Sequence, residues 1–200
     1  MKKIIIATGN AGKVKEFREM FDGLDLEFTS LADHFDPLPY IAETGFTFFE
    51  NAKIKADWAF DNVGGMWALA DDSGLEVDAL GGAPGVISAI YSGDDATAAS
   101  NNEKLLYELR GVPPGKRTAR FKCALILKTD ADRYLTAEGC CEGRIIDTSV
   151  GDKGFGYDPL FIPDGFNQTF AQIRSEDKNR ISHRGVALKK LYAELARVIT

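Results

Sequence analysis

Residues 3–13 read Lys-Ile-Ile-Ile-Ala-Thr-Gly-Asn-Ala-Gly-Lys. The β-branched run Ile4-Ile5-Ile6 suits a short buried strand, and Thr8-Gly9-Asn10 is a turn signal that stops it. Directly afterwards Val14, Phe17, Met20, Phe21 and Leu24 recur every three or four residues, which places apolar side chains on one face of a helix. A strand, a glycine turn and a helix in immediate succession open an α/β fold.

The segments further along continue this pattern. Residues 26–29 make a weak second strand, and the stretch through Pro37 and Pro39 to Gly45 reads as loop. Thr47 and Glu50 have capping-box spacing and open a helix carrying Ala52, Ala56, Ala59, Phe60 and Val63 on one face, ending near Gly64-Gly65. Trp67–Ala70 reads as a strand that stops at Asp71-Asp72-Ser73-Gly74, which would put carboxylates at the usual active-site rim of an α/β sheet. Ser100 with Glu103 is the expected cap of a third helix through Leu105, Leu106 and Leu109. Residues 118–128 and 133–146 read as a hairpin, 147–157 as glycine-rich loop, 158–162 as a strand and 184–199 as an amphipathic helix. No repeat or low-complexity linker interrupts the chain. The expectation is a mixed α/β (α+β) fold, one domain over residues 1–200, with a mixed sheet, flanking helices and two lobes around a central cleft.

Composition narrows the function classes. The 200 residues are 44% hydrophobic and 27% charged, proportions of a globular protein rather than a disordered one. The 24 Lys and Arg against 30 Asp and Glu give a net charge of −6, which argues against a surface that follows nucleic-acid phosphates. A polyphosphate partner would need a local cationic pocket or a metal. Lys116, Arg117, Arg120 and Lys122 are read as solvated surface on a strand rather than a nucleic-acid patch. The amino-terminal apolar run is too short for a signal-peptide core, and no window suits a membrane span, so a cytoplasmic protein is expected. Cys123, Cys140 and Cys141 include no CxxC pair and are expected to be free thiols.

Three constellations could carry chemistry. Thr8-Gly9-Asn10-Ala11-Gly12-Lys13 lies between strand and helix, where backbone amides, the helix dipole and Lys13 suit a phosphate. Val14 stands where a P-loop needs Ser or Thr, and spacing alone leaves open an ordinary turn and helix cap. The second set is Glu43, Glu50 and Asp71-Asp72. Converging carboxylates hold Mg2+, a hard cation that prefers oxygen; the other reading is cap and turn carboxylates. Adjacent Asp71 and Asp72 should point to opposite faces of an extended chain. The third is Gly154-Phe155-Gly156-Tyr157-Asp158-Pro159, followed by Lys178 and Ser182-His183-Arg184. Aromatic rings offer base-stacking faces, and a guanidinium can donate twice to a purine with acceptors at O6 and N7. Core packing and a solvated basic face are the alternatives. GxSxG, GxGxxG and HExxH are absent, and there are only two histidines, against a serine triad or a histidine-rich metal site.

Taken in order, these motifs resemble the inosine/xanthosine triphosphate pyrophosphatase family over nearly the whole chain. The landmarks are Thr8-Gly9-Asn10 with Lys13 and Glu16, Glu43-Thr44-Gly45, Phe49-Glu50-Asn51-Ala52 with Lys55-Ala56, and Ala70-Asp71-Asp72-Ser73-Gly74-Leu75. Gly81-Gly82-Ala83-Pro84-Gly85, Gly154 to Pro159 and Ser182-His183-Arg184 complete them. The resemblance implies an elongated two-lobed fold, a homodimer, and a Mg2+-dependent hydrolase that cleaves inosine, deoxyinosine or xanthosine triphosphate to the monophosphate and pyrophosphate. By that resemblance Thr8, Gly9, Asn10, Ala11, Gly12 and Lys13 line the phosphates, Glu43 and Asp72 lie at the metal, and Asp72 accepts a proton from the attacking water. Ser73, Phe155, Gly156, Tyr157, Asp158, Lys178, His183 and Arg184 correspond to nucleotide contacts. The chain departs from many bacterial members in having Ala42 at a second acidic position, and Ile87 and Ile90 where an aromatic and an arginine are usual. A pyrophosphatase for modified pyrimidine or methylated nucleotides and a non-catalytic nucleotide-binding module are the rival classes.

Overall fold

In the computed structural model, which describes residues 2–21 and 26–199, the opening run forms β1 (Lys2–Ile6), followed by α1 (Ala11–Met20). Ile4, Ile5 and Ile6 are all buried, as expected of a strand covered on both faces. Phe17 and Phe21 are buried too, while Leu24 lies outside the described residues. β2 (Leu26–Ser30) runs parallel to β1, with Lys2 opposite Leu26 and Ile6 opposite Ser30. On its other side β1 pairs in parallel with β3 (Trp67–Val77), Ile4 opposite Trp67. Parallel strands need a crossover, and α2 (Phe48–Asn62) lies between β2 and β3 in the chain. Thr47 and Glu50 form both halves of its capping box, and Ala52, Ala56 and Ala59 are buried.

The remaining elements are α3 (Ala98–Glu108), β4 (Thr118–Asp130), β5 (Arg133–Ile145), β6 (Phe161–Pro163), α4 (Ser175–Ile181) and α5 (His183–Ile199). The six strands form one sheet in the order β2-β1-β3-β4-β5-β6. β5 and β6 are antiparallel, and the two residues between β4 and β5 can only return the chain as a hairpin. The fold is thus mixed α/β, with helices flanking an open mixed sheet. Among the described residues no helix is long and apolar enough to cross a membrane.

Four local expectations are corrected. β3 does not stop at Ala70; it continues through Asp71-Asp72-Ser73-Gly74 to Val77, because buried Leu75 and Val77 resume the apolar pattern beyond the polar residues. The two aspartates therefore sit within a strand, not at its end. α3 is capped by Thr97 rather than Ser100: the Thr97 hydroxyl accepts from the Ser100 N–H at 3.1 Å and the Ser100 hydroxyl accepts from the Thr97 N–H at 2.9 Å. Residues 158–162 are not one strand. Pro159 has no N–H to give to a ladder, so Asp158–Leu160 coil as a 3-10 turn and only Phe161–Pro163 pair. Finally, α4 has no counterpart in the sequence reading: Ser175-Glu176-Asp177-Lys178-Asn179-Arg180-Ile181 carries almost no apolar period.

The chain divides into two compact units. Unit 1 comprises residues 1–72, 123–139 and 185–200, and its core joins Ile4, Ile6 and Phe17 to Leu125, Leu127, Leu188, Leu191 and Leu195. Unit 2 comprises residues 73–122 and 140–184, with Leu75, Leu105, Phe121, Phe161 and Phe170 at its centre. The boundaries fall inside β3, β4, β5 and α5. In unit 2 the basic run is largely matched by acids: Arg120 pairs with Asp78 at 2.9 Å and Glu142 at 3.0 Å, Lys122 with Glu76 at 3.0 Å, and Arg117 donates to the carbonyls of Val112 and Leu109. Cys123 and Cys141 are buried, Cys140 is exposed, and none of the three is in a disulfide.

In unit 1 a polar cluster fastens α2 to the β4–β5 hairpin. Asp57 accepts from Lys128 at 2.7 Å, Lys53 at 2.6 Å and the Tyr134 hydroxyl at 2.6 Å. Burial works to raise the Asp57 pKa, but these three donors outweigh it and hold the carboxyl below its ordinary 3.8. A carboxylate so depressed stabilises the fold above its unfolded pKa, and that contribution is lost as the pH falls. Asp57→Asn is expected to cost about 2 kcal/mol at pH 7, because it leaves the buried Lys128 ammonium without its main counter-charge. Urea titrations at pH 7 and below pH 4 check this: the gap between variant and wild type should narrow in acid.

Candidate active site

Alternation along β3 sends Asp71 and Asp72 to different partners, as an extended chain requires. Asp71, fully buried, pairs with Lys13 at 2.9 Å. Lys13 is on the first turn of α1, so the strand–turn–helix unit delivers a cation to the strand beside it. The turn itself is tightly used: the Asn10 side chain accepts from the N–H groups of Gly12 at 2.9 Å and Lys13 at 3.2 Å, and the Asn10 N–H donates to Thr8 Oγ1 at 3.2 Å. Asn10 is thus the N-cap of α1, and Thr8, Gly9, Asn10, Ala11, Gly12 and Lys13 lie together at the positive end of its dipole.

Asp72 faces α2. Its Oδ1 accepts from Lys55 Nζ at 3.1 Å and its Oδ2 from Asn51 Nδ2 at 3.3 Å. The same Lys55 ammonium donates to Glu43 Oε1 at 3.0 Å, so one cation gathers the two carboxylates expected at the metal. Asn51 completes the clamp, its Oδ1 accepting from the Gly45 N–H at 2.7 Å and fixing the loop that carries Glu43. A side chain at Gly45 would meet that amide, a Cβ there lying 2.8 Å from Asn51 Oδ1. Glu50, by contrast, is a cap: its Oε2 accepts from Phe46 N–H at 2.7 Å and Thr47 N–H at 3.1 Å.

Electrostatics follow from this burial. Desolvation pushes the Asp72 carboxyl up to about 6; Lys55 pulls it back and Glu43 adds to the rise. For Lys55, burial favours the neutral amine, but Asp72, Asp71 and Glu43 outweigh it and the pKa is raised. At neutral pH Lys55 is therefore a lysinium, and Asp72 beside it is a better proton acceptor than an ordinary aspartate.

Unit 2 assembles the other expected residues. Arg184, buried, donates to Ser73 Oγ at 3.0 Å and lies 5.8 Å from the Phe155 ring centre. Lys178 sits over the same ring at 5.0 Å and donates to Asp158 Oδ2 at 2.6 Å. Asp158 Oδ2 also accepts from the Phe155 N–H at 2.9 Å, closing the loop on itself. His183 stacks on Phe121 at 4.9 Å with the rings 14° from parallel. The two aromatic residues of the loop differ. Tyr157 is a core residue whose hydroxyl donates to the Ser88 carbonyl at 2.8 Å; Phe155 is 40% exposed and offers a stacking face beside two cations. Gly156 joins them, its carbonyl held by Asn102.

Set beside known proteins, residues 4–194 match the sequence model of the Ham1 family. The chain belongs to this family. A dITP/XTP pyrophosphatase of Listeria monocytogenes (serotype 4b, strain F2365) is 50% identical over 199 residues, spanning 100% of this chain and 97% of its own. A protein of the same name from Exiguobacterium sibiricum is 51% identical over 193 residues, 96% of each chain. Among solved structures, a HAM1 protein from Coxiella burnetii superposes with a TM-score of 0.89 at 39% identity over 98% of this chain and all of that one. The Staphylococcus aureus Ham1 protein gives 0.87 at 37% over the same shares.

Two residues of this Ham1 chain carry no role in the sequence reading yet hold the carboxylates: Asn51 and Lys55. The available signal is their i, i+4 spacing on α2, each directly before a buried alanine, Ala52 and Ala56. A polar residue so close to a buried stripe needs a buried partner. In unit 2, Gly154 has φ +75°, and a Cβ there would lie 2.0 Å from Asp158 Oδ2. Gly154→Ala is expected to destabilise the protein by at least about 2 kcal/mol through backbone strain and the displaced carboxylate, read as a lowered denaturation midpoint.

Proposed function

We propose that this Ham1 protein hydrolyses the non-canonical purine nucleotides ITP, dITP and XTP to the nucleoside monophosphate and pyrophosphate, which clears them from the pool before they enter DNA or RNA. The observation that carries the reading is the Glu43–Lys55–Asp72 set of unit 1, with Lys55 and Asp72 buried, on a chain half identical over its whole length to proteins named dITP/XTP pyrophosphatase. A carboxylate held out of water beside a second carboxylate is costly to the fold, and proton acceptance together with cation binding explains its presence.

Glu43 and Asp72 fit Mg2+, which takes hard oxygen donors, keeps several waters and draws further ligands from substrate phosphates. Among the described residues no cluster of three or more His, Cys, Asp or Glu side chains stands ready for a metal, so the chain supplies these two carboxylates and the nucleotide and water supply the rest. When bound, the ion neutralises phosphate charge and acidifies water. Lys13 and the start of α1 attract the triphosphate. Lys55 holds the two carboxylates at one point. Asp72, with its pKa pushed up to about 6, takes the proton as the water oxygen attacks the α-phosphorus; the bond to the α–β bridging oxygen breaks and pyrophosphate leaves.

In unit 2, Phe155 stacks on the base, and Arg184, oriented by Ser73, donates to O6 and N7. An adenine presents an amino donor where O6 would be and leaves the guanidinium unmatched. Guanine keeps both acceptors, so its 2-amino group has to be refused by the backbone of the Phe155–Asp158 loop or of Ser182-His183-Arg184, where α4 gives way to α5; a buried donor left unpaired costs about 1–3 kcal/mol. A homodimer in the cytoplasm completes the proposal by family resemblance.

The test is pyrophosphate release from inosine, xanthosine, guanosine, adenosine and modified pyrimidine triphosphates, with Mg2+ and with EDTA. Inosine and xanthosine triphosphates are expected to exceed guanosine triphosphate by about a hundredfold or more in kcat/KM, with EDTA and Asp72→Asn each abolishing turnover. Preference for modified pyrimidines assigns the chain to the rival enzyme class, and binding without turnover removes the catalytic roles. Arg184→Ala should lower kcat/KM for inosine triphosphate while hardly changing that for adenosine triphosphate; equal losses exclude base reading by this residue.

A further inference from the structure

We propose that Asn102, on α3, is a specificity-determining residue that acts by aiming the peptide between Gly156 and Tyr157; the inference rests on the reading that the Phe155–Asp158 loop meets the purine. Asn102 is 9% exposed, and its Nδ2 donates to the Gly156 carbonyl at 3.1 Å. Its Oδ1 is out of reach of solvent and accepts no hydrogen bond from any described residue. Turning the amide over would bring two oxygens together, so the donor is the atom that faces Gly156. A buried amide that leaves its acceptor unanswered is a poor structural fastener. Its one satisfied atom fastens the loop expected to read the base.

The geometry of that hold has a direction. In a trans peptide the carbonyl and the following N–H point opposite ways. By holding the Gly156 carbonyl toward α3, Asn102 turns the Tyr157 N–H to the other side, and among the described residues that N–H finds no acceptor. The Asp158 N–H donates to the Phe155 carbonyl at 3.3 Å, closing a turn around this peptide; the loop's other anchors act elsewhere, Asp158 accepting from the Phe155 N–H and the Tyr157 hydroxyl donating to the Ser88 carbonyl. Gly156, at φ +61° and with nothing within 4 Å of where a Cβ would stand, imposes no steric limit of its own. Asn102 bonds to this peptide directly, so the tilt is set by Asn102 together with the turn. The tilt decides whether a donor or an acceptor is presented to a purine edge, which is what separates O6 or O2 from an amino group.

Two variants test this on the full-length enzyme. Asn102→Leu keeps the branching at Cγ and removes both the donor and the unanswered acceptor; Asn102→Asp keeps the shape and sets an oxygen against the Gly156 carbonyl. Both are expected to lower the ratio of kcat/KM for inosine over guanosine triphosphate at least about tenfold, through a raised KM for inosine triphosphate, with its kcat within about threefold of wild type. Circular dichroism and melting temperature establish that each variant is folded. A folded Leu variant with an unchanged ratio, or with its loss confined to kcat, overturns the proposal, as does failure of both variants to fold, which would make Asn102 a purely structural residue. Wild-type enzyme that does not turn over inosine triphosphate overturns the functional reading itself, a result distinct from any behaviour of the variants.

Discussion

Two carboxylates buried at adjacent positions of one interior strand each require a cation, and meeting that requirement organises unit 1. Alternation along β3 points Asp71 and Asp72 to opposite faces, so a single helix cannot serve both. α1 supplies Lys13 to one and α2 supplies Lys55 to the other. The turn that starts α1 and the capping box that starts α2 gain their meaning from this, because each sets the helical phase that delivers a lysine. Buried ion pairs add little stability compared with apolar side chains of similar size. The arrangement is therefore explained by what a confined, partly neutralised carboxylate can do.

Unit 2 meets a different constraint. Its Phe155–Asp158 loop has to keep an aromatic ring at the surface while the residues around it stay fixed. Asp158 solves this by accepting from both the loop's own backbone and Lys178. Lys178 then lies against the ring without being left uncompensated inside the protein. Tyr157 contributes by going inward, its ring in the core and its hydroxyl on Ser88, so that the residue two positions before it stays outside.

Much of this was legible in the residues, and the parts that were not have a common cause. Periodicity located β1, α1, α2 and α5, since each has a clear apolar stripe, and the Thr47–Glu50 spacing identified a real capping box. The continuation of β3 was hidden because Asp71-Asp72-Ser73-Gly74 has poor strand propensity and only tertiary partners make it tolerable. α4 was hidden for the converse reason, a helix held by its surroundings with no apolar period of its own. At the site, motif residues with charge or aromatic character stood out, whereas Asn51, Lys55 and Asn102 act through contacts between segments distant in the chain. A stacking role for Tyr157 could not be told from a core role until its hydroxyl was seen on the Ser88 carbonyl.

The division of the chain has a consequence for how the protein is made. Unit 2 is inserted, in two stretches, into unit 1, and the core under β1 is closed by Leu188, Leu191 and Leu195 of α5. Ile4 and Ile6 leave the ribosome before all of unit 2, and the α5 side chains that cover them leave after it. The first unit cannot finish folding until α5 has been made; its opening strand waits, apolar and uncovered, while unit 2 is synthesised. The two lysines that open that strand, and the brevity of its apolar run, are the features that keep such a nascent edge from pairing with a neighbour.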